Sequence, residues 1–365
     1  MRFRRHTLYQ GQPAERLSCV VGDLNNDGRP EIVIATRNPE QIHWFGRTSN
    51  GIWQQYLIDD TFPSISVGGA LVDLTGNGQL DLIAGTSDRG SHVFWWECPT
   101  NPTERWIRRE VSQLPGSRTH DLLLADIDGD GRPELYVWNQ DAETLFWVPL
   151  PDDPYSCPWR DFRPVVTGIN EQALSAADVD GDGRLELIAG CSWYRLLSNG
   201  KWERHIYTKD YGGVRVVSAD FDGSGKSQIV VCEVGADIGQ QYGRLALFRP
   251  GASPEDLWEE EVLHDHLIDA HSLQVADFDG DGCPDIFVGE MGLKDWENHP
   301  PSQRIFLTRG NRMEEHIIDL GVGTHEAQII ELDGHIGIVS KPYRSLQDSS
   351  VRPKGVDAIY LYMPD

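Results

Sequence analysis

The chain has 365 residues, with 32 Lys+Arg against 57 Asp+Glu and a formal charge of −25. That balance argues against a nucleic-acid partner, which would need a clustered cationic surface. No stretch approaches the roughly 18 apolar residues of a membrane span, and the basic N-terminus lacks an apolar leader segment, so the expected location is cytoplasmic with no membrane partner. Six cysteines without C-x-x-C spacing, several inside apolar runs, are read as free core thiols.

Taken in chain order, the first element is a lone strand pattern, FRRHTLY, at residues 3–9. A unit then recurs: an apolar strand, an acidic loop, a second apolar strand. The loops occupy residues 23–31, 73–81, 126–134, 178–186, 220–228 and 277–285, with a shortened copy at 331–335. Their leading acids are Asp23, Asp73, Asp126, Asp178, Asp220, Asp277 and Glu331, spaced by 50, 53, 52, 42, 57 and 54 residues. About fifty residues is the size of a four-stranded propeller blade. An aromatic third strand follows in most units (IHWFGR, HVFWWEC, TLFWVPL, RLALFRP, RIFLTRG, AIYLYMP), then a fourth (WQQYLID, RWIRREV, KWERHIY, LWEEEVL, MEEHIID). The last unit ends at its third strand, and FRRHTLY matches KWERHIY. The expectation is an all-β, seven-bladed β-propeller forming a single domain over 1–365, its last blade closed by the N-terminal strand.

These repeats resemble the FG-GAP or VCBS family of propeller repeats. The resemblance implies the fold and says little about function.

The loop pattern Asp-x-Asp-Gly-Asp-Gly-x-x-Glu places oxygen donors around a tight turn, as hard cations require, and Ca²⁺ is the expected cofactor. Complete sets are Asp126, Asp128, Asp130 and Glu134; Asp178, Asp180, Asp182 and Glu186; and Asp277, Asp279, Asp281 and Asp285. Asp23, Asn25, Asp27 and Glu31 are nearly complete. Repetition in six of seven units assigns these ions to the blade architecture.

Function is expected where the repeats differ. Six residues before each leading acid, at the start of the channel-lining strand, lie Leu17, Val67, His120, Gln172, Val214, His271 and His325. Polar neighbours include Asp121, Asp269, Ser272 and Glu326, and Arg16 and Arg215 sit one residue from the aligned position. The turns after the second strands bring Arg37, Arg89, Trp193, Tyr194, Glu233, Glu290, Lys341 and Tyr343 to the same face. His271, Glu290, His325, Lys341 and Tyr343 are expected to converge. Such a cluster suits metal-assisted or acid–base chemistry.

Blades six and seven, with DAHSLQVADFDGDG, GEMG, GTHEAQ and SKPY, resemble the propellers of the aldos-2-ulose dehydratases and, more loosely, of propeller-type polysaccharide lyases. That resemblance implies a carbon–oxygen lyase acting by β-elimination on a keto-sugar or a uronate-containing saccharide. By their positions in the repeat, His271, His325 and Glu290 are expected to hold a divalent metal at the channel mouth, with His120 as base, Tyr343 or Lys341 as acid, and Arg215 steadying the developing enolate. Arg16, Arg37, Trp193, Tyr194 and Glu233 are the expected substrate contacts. The alternative is a non-catalytic propeller that binds glycan or protein around structural calcium sites; a glycoside hydrolase would have to use Glu233 and Glu290 as its carboxylate pair.

Overall fold

Twenty-eight strands and no helices account for the regular structure of the described residues. The computed structural model describes residues 1–11, 14–62, 65–86, 90–235, 238–292, 299–343 and 358–365. The strands form seven four-stranded sheets, and in six of them the order follows the chain. In the seventh, the N-terminal strand Phe3–Gln10 pairs antiparallel with Ala358–Pro364, running from Phe3 opposite Pro364 to Gln10 opposite Ala358. The protein is a seven-bladed β-propeller closed by its first strand.

Each second strand is sandwiched between neighbouring blades, so both of its faces are apolar. Glu31–Arg37 is buried at six of its seven positions. The cores lie between blades rather than within them. Leu8, Ile32, Ile34, Val339 and Ile359 form the seam between blades seven and one, where the ring closes. Burying each such side chain contributes about 1.5–3 kcal/mol, so closure rests largely on these contacts.

The acidic loops fold through their own carboxylates. Asp23 accepts from the amides of Asp27 (3.2 Å) and Gly28 (2.8 Å), and Glu31 reaches back to the amide of Leu24 (2.8 Å). The same reach joins Glu134 to Ile127, Glu186 to Val179 and Asp285 to Phe278; in blade five the Gln228 amide oxygen replaces the carboxylate and accepts from Phe221. The sixth loop residue is a glycine in the left-handed region in all six loops, from Gly28 (φ 82°) to Gly282 (φ 87°), a conformation that costs other residues. In the seventh unit Asp333 and Gly334 make a two-residue hairpin with positive φ at both positions.

Three details depart from the sequence pattern. Blade four has a third strand, Ser192–Leu196, where a turn was expected. Blade three has a fourth strand, Arg163–Thr167, which carries none of the recurrent aromatic pattern. The fourth strand of blade five, Glu259–Leu267, runs on through His264 and His266, past the end of the expected LWEEEVL pattern. None of the six cysteines is paired.

Candidate functional site

The innermost strands of blades three (Thr119–Ala125), five (Val214–Ala219) and six (Ala270–Ala276), with the segment leading into Gln328–Leu332 of blade seven, converge at one end of the channel. Five residues before the leading acids, one step on from the histidines, lie Gly68, Asp121, Ala173 and Glu326, all with positive φ (79°, 50°, 65° and 52°). The chain kinks there, and in blade three the ladder slips between His120 and Leu122. The kink in Asp121 turns its carboxylate inward. Gly68 permits that approach, because a Cβ on it would lie 3.0 Å from the Asp121 Cα.

Asp121 is the most heavily bonded group of the site. It accepts from His120 Nδ1 at 2.6 Å, from the Ala173 amide at 3.0 Å, and from Arg215 Nη1 at 2.8 and 3.0 Å. Burial opposes its ionisation, yet Arg215 and His120 hold its carboxyl well below the usual carboxylate range. The other Arg215 nitrogen, Nη2, touches His271 Nε2 and lies 3.4 Å from a Glu326 oxygen. One guanidinium thus bridges two carboxylates that occupy the same repeat position two blades apart on either side of it.

His271 and His325 stack with ring centroids 4.7 Å apart and planes at 15°, and Tyr343 packs against His325 at 4.6 Å. Burial holds both imidazoles well below the usual histidine value, reinforced by Arg215 at His271 and by His271 at His325, so both rings are neutral. His325 Nδ1 meets the Leu17 carbonyl at 3.0 Å. A carbonyl only accepts, so Nδ1 carries the proton and Nε2 keeps its lone pair. Arg215 only donates, so His271 Nε2 also offers a lone pair, while its Nδ1 is buried with no hydrogen-bond partner among the described residues. One nitrogen of each histidine and one Glu326 oxygen lie within 4.8 Å of one another. The set fits a small divalent cation: two neutral imidazoles, a carboxylate, and a guanidinium nitrogen standing in at His271 and Glu326.

A cavity of about 560 Å³ runs along the channel below this level, lined by Asp121, Arg215, His271 and Glu326 at one end and by Ser175, Gln274 and Gln328 further along.

Several expectations are corrected. Glu290 does not join the histidine pair. Its buried carboxylate accepts from the amides of Ile268 and Ser302, the Ser302 hydroxyl, and His299 Nε2 at 3.0 Å, which ties two connections together. Glu326 takes its place. Trp193 and Tyr194 have 0% and 1% exposure, because they lie in the third strand of blade four. Trp193 stacks on His205 at 4.2 Å, and neither ring offers a face to a sugar. Glu233 is 1% exposed and held by Arg244 at 2.8 Å, so it pairs with neither Glu290 nor a ligand. Lys341 is fully buried, donating to the carbonyls of His325 (2.6 Å), Leu17 (3.2 Å) and Arg16 (3.3 Å); burial pushes it down to about 8. It clasps blade seven to blade one and faces no open mouth.

Arg16 is buried at 3% exposure, its side chain donating to the Ala14 carbonyl at 3.2 Å. Arg37 pairs with Glu15 at 2.7 Å and donates to the Tyr343 hydroxyl at 3.1 Å. Arg89 lies outside the described residues. Asp121 and Glu326 received no role from the sequence, although the signal was present: both are acids one step after an aligned histidine.

In the acidic loops, Asp126, Asp128, Asp130 and Glu134 converge, as do Asp178, Asp180 and Glu186, and Asp277, Asp279 and Asp285. Burial, reinforced by loop carboxylates, pushes Glu31 and Glu186 up to about 7 and Asp285 to about 6.

An FG-GAP-like repeat model matches residues 23–84 and 73–137, and an FG-GAP repeat model matches 270–295, so the chain carries FG-GAP repeats. Aldos-2-ulose dehydratase of Phanerodontia chrysosporium is 26% identical over 267 residues, covering 60% of this chain and 29% of that enzyme. The chain therefore spans under a third of that relative's length. Among solved structures, virginiamycin B lyase from Staphylococcus aureus superposes with a TM-score of 0.59 at 13% identity, covering 100% of both chains. The V. cholerae biofilm matrix protein Bap1 gives 0.55 at 12% identity, covering 99% of this chain and 91% of its own. At such identities these two show a shared fold alone.

Proposed function

We propose that the protein is a carbon–oxygen lyase that eliminates water or an alcohol from a saccharide bearing a carbonyl or carboxylate, at the end of the propeller channel. The observation that carries this reading is the convergence of His120, Asp121, Arg215, His271, His325 and Glu326 on one level of an otherwise repetitive ring. The distant likeness to a dehydratase supports it.

In this reading His120 takes the proton from the carbon next to the carbonyl. The released electron pair forms the new carbon–carbon double bond as the carbon–oxygen bond breaks, and the departing oxygen takes a proton from Tyr343. His271, His325 and Glu326 would hold a divalent cation, which supplies Lewis-acid polarisation of the carbonyl when bound. Arg215 sets a fixed positive charge beside the forming enolate and offsets the charge of Asp121, with which it makes its paired contacts. The acidic loops hold Ca²⁺ in a structural role.

The test is ultraviolet absorbance of the conjugated product on panels of keto-sugars and uronate-containing oligosaccharides. Wild type should turn over one class, and His325→Ala should lose at least about a hundredfold in kcat/KM. Saccharide binding by calorimetry with no turnover on either panel would instead establish a non-catalytic binding propeller.

A further inference from the structure

Three histidines occupy the same step of the repeat, yet their surroundings differ. His271 and His325 stack face to face and are nine-tenths or more buried. His120 is partly exposed, and its Nδ1 meets the carboxylate of the very next residue at 2.6 Å. Adjacent residues in an extended strand point to opposite faces, so this contact requires the kink: Asp121 holds φ 50° and the ladder slips around it. Such strain persists only when the surroundings over-determine it. Here the Ala173 amide of blade four and Arg215 of blade five both hold the folded-back carboxylate.

We infer that Asp121 is a positioning residue: it pins His120 in the tautomer that carries its proton on Nδ1, leaving Nε2 as the basic nitrogen, while Arg215 keeps Asp121 ionised and fixed. This rests on the proposed elimination only for what His120 does with that lone pair; the tautomer itself is independent of any activity. A carboxylate ion only accepts, so Nδ1 must donate to it. Once His120 takes a proton, the resulting imidazolium meets an anion already in place, so no group has to reorganise. Repeat chemistry thereby splits one position into two kinds of histidine, a pair shielded as neutral lone-pair donors and one turned into a base.

Asp121→Ala tests this. The Oδ2 that accepts from His120 Nδ1 also accepts from the Ala173 amide and from Arg215, so no side-chain amide could reverse the His120 contact alone, and alanine removes the pin outright. Two-bond ¹H–¹⁵N spectra of the intact chain near pH 8, with His120 assigned by its loss in His120→Gln, should show Nδ1–H in wild type and, in D121A, a mixture dominated by Nε2–H, the tautomer an unconstrained histidine favours. In the elimination assay D121A should lose about 10²-fold or more in kcat with KM nearly unchanged. Nε2–H in folded wild type overturns the inference, even if D121A does not fold. An unchanged tautomer in a folded D121A, or an unchanged kcat, also overturns it. The expected tautomers with no turnover on any saccharide would uphold the positioning role and defeat the proposed lyase activity.

Discussion

Arg215 and Asp121 stand 94 residues apart in sequence and two blades apart in the ring, and one guanidinium nitrogen donates to both carboxylate oxygens at 2.8 and 3.0 Å. Both side chains are buried, so the pair holds two inner strands at a fixed distance across the channel wall. Removing one partner of a buried pair leaves an uncompensated charge, which costs about 3–5 kcal/mol. Arg215→Met should lower the unfolding free energy in urea by that amount. The double variant with Asp121→Asn should recover part of the loss; a simple sum of the two single effects would mean the pair is not coupled.

Lys341 closes the ring at the seam between blades seven and one, where its ammonium serves three backbone carbonyls at once. Lys341→Met keeps the volume and takes the ammonium away from all three, the Leu17 carbonyl still accepting from His325 Nδ1. The expected cost is about 2–4 kcal/mol. Native-state hydrogen exchange should show it as faster opening of Phe3–Gln10 and Glu15–Gly22 before the other blades, and uniform acceleration around the ring would contradict this.

Six acidic loops hold 19 of the 57 carboxylates, and three of them bring three or four oxygen donors together. Chelation by EGTA should therefore lower the thermal midpoint, and Ca²⁺ should restore it, by about 2.7 kcal/mol per site at a hundredfold excess over Kd. Equilibrium dialysis should lose one bound ion in Asp178→Ala. An unaltered count would show that loop four folds on its backbone hydrogen bonds alone.

Glu171 lies just before the inner strand of blade four, against Gly190, with one buried oxygen lacking a hydrogen-bond partner among the described residues. Burial, only partly offset by a backbone hydrogen bond with Cys191 and by Arg204, pushes it up from 4.5 to about 7. The folded state thus binds this proton more tightly than the unfolded chain. Its contribution is fully present below pH 4.5 and is lost as pH rises through 7. Glu171→Gln should be more stable than wild type by about 1–3 kcal/mol at pH 8 and nearly equal at pH 4. Equal stabilities at both pH values would place the carboxylate in water.

The blade count, the closure by residues 3–9 and the acidic loops were legible in the chain because each is local and repeated: strand alternation, an Asp-Gly turn and a fixed spacing recur until chance is excluded. Three histidines at one repeat position were legible for the same reason. The roles around them were not. Trp193 and Tyr194 look like exposed aromatics in a turn, but blade four has the shortest repeat and its third strand starts at once, which buries them. Glu290 and Glu326 are equally good carboxylates on paper, and only the kink at Glu326 turns one of them toward His271 and His325 while Ser302 and His299 bind the other.

By itself the sequence determined a seven-bladed, all-β ring with acidic turns and an asymmetric set of histidines, because hydrophobic period and turn chemistry are read from neighbours along the chain. Only the tertiary structure decided which charges meet. Contacts such as Arg215 with Asp121 and Glu326 join residues of different blades, and backbone kinks at single positions select which side chains enter the channel and which are absorbed into the walls.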